Sequence, residues 1–304
     1  MCGIVGLLLK NSALRGQLGE LMVPMLIGMT ERGPDSAGLA VFTETLPQSR
    51  RKISVYAGLT AQADAYDWAA LVEALNAAMP IQAQASAQGN HAVIHFEGNS
   101  ASVNAWIKAH DPRLHLLSAG RSIELYKDIG TPSDVAARYG FGELTGSHLV
   151  GHTRMATESA VTPDRAHPFT AGEDFCLVHN GSLSNPNGIR RMLEPRGIRF
   201  ETDNDTEAAC RFLEWRLREG DTLHEALRKG FEALDGFYTF LVGTAEGFAV
   251  VRDPIACKHA VMAETDDWVA MATEWRAIAH LPGADTARIW EPEPSTIYTW
   301  GGNA

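Results

Sequence analysis

Cysteine is the second residue of this chain, which gives it two reactive groups if the first residue is removed. Methionine aminopeptidases cleave Met1 when the next side chain is small, so we expect the mature protein to begin at Cys2. A terminal cysteine carries a thiol and a free α-amine that titrates near about 7.7–8.0. The amine can accept the thiol proton, which creates a nucleophile without a histidine. The alternative is that Cys2 is a small apolar residue starting a buried strand.

Arg154 ends a second segment, Gly-His-Thr-Arg, that follows a predicted buried strand over residues 149–153. An arginine at the mouth of such a strand is costly to desolvate unless it meets an anion. A small carboxylate that the guanidinium binds through two hydrogen bonds would be such an anion. The alternative is an internal salt bridge.

Asn180 and Gly181 stand at the end of the next predicted strand, over residues 175–178. A side-chain amide beside a glycine N–H offers two neutral donors, which are the usual parts of an oxyanion hole. Glycine also lets the backbone turn its N–H towards a ligand. The alternative is a plain Asn-Gly hairpin turn.

Residues 202–207 (Thr-Asp-Asn-Asp-Thr-Glu) open a predicted helix over 205–218. Asp205 is suited to neutralise the ammonium group of an amino acid, and the alternative is helix capping. Together these segments offer a nucleophile, two oxyanion donors and one binding group each for a carboxylate and an ammonium. This set suits a free α-amino acid with a side-chain amide as the substrate. Glutamine and asparagine are the candidates.

The elements that must position these groups follow from the hydrophobic pattern. Strands are predicted over residues 2–9, 39–42, 149–153, 175–178, 259–263 and 268–272, with a hairpin over 236–251. Helices are predicted over 14–29 (interrupted by Pro24), 187–196, 205–218, 223–234 and 275–280, and the Pro-rich end is expected to be irregular. Helices between two sets of strands indicate an α+β layered domain that occupies residues 1–304.

Residues 45–148 have the least regular pattern, and we interpret them as an inserted subdomain within that domain. Helices are predicted there near 63–78 and 131–139, and strands near 91–96, 101–107 and 114–117. Residues 76–90 are expected to be a helix end and a loop.

Composition restricts the classes of function. The 304 residues carry a net charge of −11, which argues against nucleic acid as a partner. Four dispersed cysteines predict neither a disulfide framework nor a zinc cluster, and they favour a cytoplasmic location. The apolar run over residues 2–9 is too short to span a membrane, and no other segment is expected to do so.

The chain resembles the class II glutamine amidotransferases, which are N-terminal nucleophile hydrolases. The shared segments lie in the same order, at residues 1–6 (Met-Cys-Gly-Ile-Val-Gly), 32–38 (Arg-Gly-Pro-Asp-Ser-Ala-Gly), 151–154, 179–181, 202–207 and 251–254 (Val-Arg-Asp-Pro). The resemblance implies a four-layer αββα fold with an inserted segment. It also implies that Cys2 attacks the amide of glutamine, that ammonia leaves and that water hydrolyses the glutamyl thioester.

The resemblance assigns a role to each matching residue. It implies that Asn180 and Gly181 form the oxyanion hole and that Arg32 orients Cys2. It further implies binding of the substrate carboxylate by Arg154 with Thr157 beside it, and of the substrate ammonium by Asp205. The sequence departs from the family pattern at Met155, Glu158 and Asn204. A carboxylate at Glu158, near the carboxylate-binding Arg154, is expected either to weaken substrate affinity or to loosen the preference for glutamine.

The inserted region resembles the glutamate synthase branch, and the opening segments are most similar to the stand-alone amidotransferase subunit of N-methylglutamate synthase. This resemblance implies separate glutamate-synthase-like partner subunits, one of which bears flavin, and no cofactor or metal in this chain. The sequence has no Walker-type phosphate loop, so we expect the nitrogen acceptor to bind to another chain. Two alternatives stay open: a free-standing amidohydrolase for a γ-glutamyl compound, and a catalytically silent assembly subunit.

Overall fold

The computed structural model describes residues 2–58, 66–155 and 162–302. Its strands are β1 (Gly3–Leu9), β2 (Ser36–Phe42), β3 (Arg50–Tyr56), β4 (Gln84–Gln88), β5 (His91–Glu97), β6 (His115–Gly120), β7 (Ile123–Ile129), β8 (His148–Arg154), β9 (Phe169–Thr170), β10 (Phe175–Leu183), β11 (Gly236–Thr244), β12 (Gly247–Arg252), β13 (Val261–Glu264), β14 (Trp268–Ala272), β15 (Arg288–Trp290) and β16 (Ile297–Gly301). Its α-helices are α1 (Leu18–Ile27), α2 (Trp68–Ala78), α3 (Ser100–His110), α4 (Pro132–Arg138), α5 (Pro186–Leu193), α6 (Asp205–Arg218), α7 (Leu223–Ala233) and α8 (Trp275–Ile278).

Two antiparallel sheets pack face to face at the centre of the fold. One has the order β15-β13-β14-β1-β8-β2-β7, and the other has the order β16-β12-β11-β10-β9. Ile4 and Val150 of the first sheet meet Val178 and Leu241 of the second in a fully buried layer. A methyl group on Gly6 would lie 2.6 Å from a side-chain carbon of Leu241, so this glycine lets the two sheets approach closely.

Helices cover the outer face of each sheet. Helix α1 buries Met22, Met25 and Leu26 against the outward side chains of β1 and β2, together with α4 and α8. Helices α5, α6 and α7 cover the other sheet with a second apolar layer. The resulting order of helix, sheet, sheet and helix confirms the predicted α+β, αββα architecture. Pro24 lies inside α1 without ending it.

A third sheet, β4-β5-β3-β6, forms the inserted part of the chain with α2 and α3 packed against it. This unit covers residues 50–120, which is shorter than the predicted range 45–148. Strand β7 joins the edge of the main sheet beside β2, and α4 packs on α1, so residues 123–138 belong to the main sandwich.

Two predictions inside the insertion were wrong. Residues 101–107 belong to helix α3 rather than to a strand, because Val103 and Ile107 are spaced for one helical face and Asn99 caps its first turn. Residues 84–88 form the edge strand β4 rather than a loop. Because most of its side chains are polar and exposed, this strand carries no hydrophobic alternation.

The sequence predicts an irregular segment after residue 280, and this prediction is wrong. The segment supplies an edge strand to each main sheet. Strand β15 pairs with β13, and β16 pairs with β12. Both strands are short, and Pro292 and Pro294 lie between them, so pattern analysis does not reveal them. No helix in the described ranges is long and apolar enough to cross a membrane.

Candidate active site

The sequence-predicted groups that the structure describes come from strand and helix ends of the central sandwich. Cys2 directly precedes β1 and is partly exposed. Strand β8 runs antiparallel to β1 and pairs Thr153 with Gly3, so its last residue, Arg154, lies near the start of β1. Asn180 belongs to the facing sheet. Residues of both sheets therefore adjoin the cysteine.

Asn180 makes a contact between the two sheets at Cys2. Its side-chain Nδ2 donates to the carbonyl oxygen of Cys2 at 3.1 Å, across 178 residues of chain. The sequence predicts that β10 ends at residue 178, before Asn180. In the structure, this strand continues to Leu183 because it pairs with β11. The Asn-Gly pair is therefore not a hairpin turn.

Gly181 occupies a position that only glycine fits. Its φ angle is +146°, and a methyl group there would lie 2.0 Å from the carbonyl oxygen of Phe237 on the neighbouring strand. The residue follows the Asn180 donor directly. This conformation turns the backbone at the point where the resemblance implies a second oxyanion donor.

Arg32 lies on the other side of Cys2. Its Nε donates to the Cys2 carbonyl oxygen at 3.2 Å, and its Nη1 forms a 2.6 Å ion pair with Glu274. The ion pair lowers the pKa of the Glu274 carboxyl group. Gly33 lets this loop approach closely, because a methyl group there would lie 2.4 Å from the backbone carbon of Thr153. Sequence reasoning missed Glu274, which has no recognisable motif around it.

Arg154 is 8% exposed at the end of β8, where it pairs with Ser36 of β2. Its carbonyl oxygen accepts the backbone N–H of Asp35 at 3.0 Å, which ties it to the loop that carries Arg32. The other predicted carboxylate-binding residue, Thr157, lies outside the described residues, as does Glu158.

Asp205 begins helix α6 close to the end of β10. Its Oδ2 accepts the backbone N–H of Leu183 at 2.9 Å, and its Oδ1 lies 3.9 Å from His179 Nδ1. The capping role belongs to Asn204, whose Oδ1 accepts the N–H of Thr206 at 2.8 Å. Asp205 is therefore not the capping residue, and its side chain is 26% exposed.

Three buried histidines surround this part of the site. The rings of His152 and His167 lie 4.2 Å apart, and both His167 and His179 hydrogen-bond to the hydroxyl of Thr206, at 2.8 and 3.0 Å. Burial lowers the pKa of each of them. They are thus neutral near pH 7. His152 could have been recognised from sequence, because strand alternation places it on the same face as Arg154.

We expect the free energy of unfolding to fall as the pH is lowered from about 7 to about 5. Burial lowers the pKa of His148 to about 4 and that of His91 and His152 to about 3. In the unfolded chain these groups titrate near about 6.5, so below that pH only the unfolded state gains their protons. Each fully shifted histidine then lowers the free energy of unfolding by about 1.4 kcal/mol per pH unit, until the pH reaches its folded pKa.

Urea unfolding across this pH range measures the effect, and His148→Gln is the matched variant. His148 Nε2 donates to the carbonyl oxygen of Thr244 at 2.8 Å, and a glutamine amide keeps a donor there. In the variant, the free energy of unfolding should fall less steeply with decreasing pH, by the contribution of one histidine. An unchanged dependence would contradict the assignment of this loss to buried neutral histidines.

The αββα sandwich, with a cysteine before its central strand, defines the class of N-terminal nucleophile hydrolase folds. Within the described parts of the chain, no group of three or more His, Cys, Asp or Glu residues is arranged to hold a metal ion. All four cysteines are free thiols.

Comparison with known proteins gives the family. A sequence profile of the glutamine amidotransferase domain matches residues 152–280. The glutamine amidotransferase-like protein GlxB of Rhizobium meliloti is 50% identical over 99% of this chain and 98% of its own length. A putative glutamine amidotransferase of Methanothermobacter thermautotrophicus is 30% identical over 98% of each chain. The chain belongs to the class II glutamine amidotransferases and is an enzyme of that family.

Solved structures agree on the fold. Glutamine phosphoribosylpyrophosphate amidotransferase from B. subtilis superposes with a TM-score of 0.62 at 18% identity. The alignment covers 99% of this chain but 47% of that enzyme. The chain therefore spans about half the length of this structural relative.

Proposed function

We propose that this protein hydrolyses the side-chain amide of glutamine through a thioester on Cys2 and supplies the released nitrogen to a separate synthase subunit. The observation that best supports this proposal is the 3.1 Å contact between Asn180 Nδ2 and the Cys2 carbonyl. It brings a neutral hydrogen-bond donor to the residue that carries the thiol. The protein needs no cofactor of its own for this reaction and acts in the cytoplasm.

The reaction begins when the α-amine of Cys2 takes the thiol proton and the sulfur attacks the amide carbon of glutamine. The negative charge that develops on the amide oxygen is stabilised by the N–H of Gly181 and by Asn180 Nδ2, which exchanges its hydrogen bond to the Cys2 carbonyl for one to this oxygen. The C–N bond then breaks, and the proton held by the amine passes to the leaving nitrogen, which departs as ammonia. Water then attacks the thioester carbon, the C–S bond breaks, the sulfur takes a proton from that water to restore the thiol, and glutamate is released.

Glutamine is oriented by groups that bind its α-carboxylate and its α-ammonium. We infer that Arg154 and Thr157 bind the α-carboxylate and that Asp205 binds the α-ammonium. Arg32 holds the Cys2 carbonyl, so that the terminal residue keeps a fixed direction. Glu274 acts indirectly: its ion pair with Arg32 holds that side chain in place.

We expect Asp205→Asn to raise the KM for glutamine about 10-fold to 100-fold while kcat changes only a few-fold. KM rises because one charge-assisted hydrogen bond to the substrate, about 1.5–3 kcal/mol, is lost. The local structure is kept because asparagine can still accept the N–H of Leu183. Steady-state glutaminase kinetics measure both constants. Asp203→Asn is the control, because Asp203 is 76% exposed and pairs with Arg165 at the surface. An unchanged KM in Asp205→Asn would show that another group binds the ammonium.

The nitrogen acceptor belongs to a glutamate-synthase-like partner of the N-methylglutamate synthase or glutamate synthase type, one subunit of which bears flavin. The sequence resemblance supports this partner. Glutaminase assays of the protein alone and with such subunits test it, with glutamine, γ-glutamyl-methylamide and asparagine compared as substrates. Stimulation of glutamine turnover by the partner supports the proposal. Preferential turnover of γ-glutamyl-methylamide, without any effect of the partner, would favour the free-standing amidohydrolase instead.

A further inference from the structure

The side-chain amide of Asn180 is held from both ends in the layer between the sheets. Its nitrogen donates to the Cys2 carbonyl at 3.1 Å and to the hydroxyl oxygen of Thr273 at 3.2 Å. Its oxygen lies 3.2 Å from Nε2 of His152. An asparagine amide is nearly symmetric in shape, so the neighbours decide which end faces the nucleophile.

His152 recognises the oxygen end. The ring is 1% exposed, and burial keeps it neutral, so it carries one N–H. Its Nε2 faces the amide oxygen of Asn180 at 3.2 Å, and that oxygen can only accept a hydrogen bond. The proton therefore belongs on Nε2. In that form, His152 disfavours an inverted amide, whose NH₂ group would face an N–H.

Thr273 holds the nitrogen end together with the Cys2 carbonyl, which can only accept and therefore selects nitrogen over oxygen. It lies one residue beyond β14 and is 4% exposed, and its backbone N–H donates to the Ile4 carbonyl at 3.0 Å. Its hydroxyl oxygen accepts the N–H of Ile4 at 2.8 Å and the amide nitrogen of Asn180 at 3.2 Å. Because Thr273 is fixed to β1 by two bonds, its hydroxyl oxygen provides a rigid acceptor beside the nucleophile.

We propose that His152 and Thr273 are positioning residues that together fix the orientation of the Asn180 amide, so that its nitrogen and not its oxygen faces the reacting carbon. An inverted amide would place its oxygen against the Cys2 carbonyl oxygen and against the oxyanion formed during the reaction, where two negative partial charges repel. The inference rests on the proposed function, because it assigns how the oxyanion donor of that reaction is oriented.

Thr273→Val tests this arrangement, because valine keeps the shape of threonine and removes the acceptor. We expect kcat for glutamine to fall about 10-fold or more while KM stays within about two-fold, since the loss should approach the 10²–10³-fold effect of losing an oxyanion donor. Thr273→Ser should restore most of the activity. His152→Phe should lower kcat in the same way, whereas His152→Gln, which keeps an N–H donor, should lower it less.

A double-mutant cycle distinguishes positioning from general disruption. In an Asn180→Ala background, Thr273→Val should cause no further loss of kcat, because the amide that it orients is gone. Thr170→Val is the matched control: its hydroxyl donates to a backbone carbonyl, that of Leu117, far along β9 and β10 from Asn180. Equal losses from Thr273→Val in both backgrounds would overturn the proposal.

A measurement without turnover keeps this inference separate from the proposed function. In protein labelled with ¹⁵N-asparagine, the side-chain NH₂ signals of Asn180 are assigned by their absence in Asn180→Ala. Thr273→Val should shift these signals, and Thr170→Val should not. If the wild type turns over glutamine but Thr273→Val changes neither kcat nor these signals, the positioning role is wrong. If the wild type does not turn over glutamine, the proposed function is wrong, and the signals alone decide whether Thr273 holds the amide.

Discussion

Cys2→Ala is expected to lower kcat for glutamine by about 10⁴-fold or more, because it removes the only atom proposed to bond to the substrate. Secondary structure and thermal unfolding should stay close to those of the wild type, since Cys2 lies outside β1 and is partly exposed. The measurement is ammonia release from glutamine under saturating substrate, with both proteins purified in parallel.

Cys257→Ala is the matched control for this result. Cys257 is also a free thiol, and it is exposed. Its replacement should leave kcat within about two-fold, because nothing in the proposed reaction uses it. Equal turnover by Cys2→Ala and wild type would contradict the assignment of the nucleophile, and loss of activity in Cys257→Ala would move that assignment to another thiol.

Asn180→Ala is expected to lower kcat by about 10²–10³-fold, the usual cost of losing one oxyanion donor. The KM for glutamine should change much less, because the amide nitrogen of Asn180 stabilises charge that develops only in the transition state. Steady-state kinetics with glutamine measure the two constants separately.

Asn76→Ala controls for the loss of a structural asparagine. The side chain of Asn76 makes two hydrogen bonds with the backbone of Ala83 in the inserted unit. Its replacement is expected to reduce stability without lowering kcat. If Asn180→Ala raised KM and left kcat unchanged, Asn180 would be a binding group and not an oxyanion donor.

Sequence reasoning reached the residues whose chemical type is distinctive. A second-position cysteine, an arginine after a buried strand and an Asn-Gly pair each suggest a chemical role without any tertiary information. The helix that begins at Asp205 was predicted with the observed bounds, because its cap and its apolar spacing are both local. Local signals therefore sufficed for this helix and for most strands of the central sandwich, while the roles of the predicted site residues stay predictions.

The parts that sequence missed depend on register between distant strands. Thr273 contacts Ile4 across 269 residues, and Glu274 contacts Arg32 across 242, so neither shares a motif with its partner. The continuation of β10 past Gly181 depends on pairing with β11, which overrides the turn preference of Asn-Gly. The edge strands β4 and β16 were missed because they lack a fully buried face.

The inserted unit of residues 50–120 joins the main sandwich through buried polar contacts. Lys52 of β3 is 1% exposed and forms a 2.7 Å ion pair with Glu124 of β7. Asn90, between β4 and β5, donates to the carboxylate of Asp128 in β7 at 3.3 Å, and Tyr139 donates to the same carboxylate at 2.6 Å from the main sandwich. These contacts fix the insertion to the sheet edge next to β2, whose first residue pairs with Arg154.

The most direct test of the central claim is to trap the covalent intermediate. The wild-type protein is mixed with glutamine, quenched in acid within one turnover, digested and analysed by mass spectrometry. The proposed mechanism predicts that the N-terminal peptide begins at Cys2, without Met1, and carries one glutamyl group on its sulfur, which hydroxylamine removes. A protein that releases ammonia while this peptide stays unmodified, or while the glutamyl group is found on another residue, would contradict it.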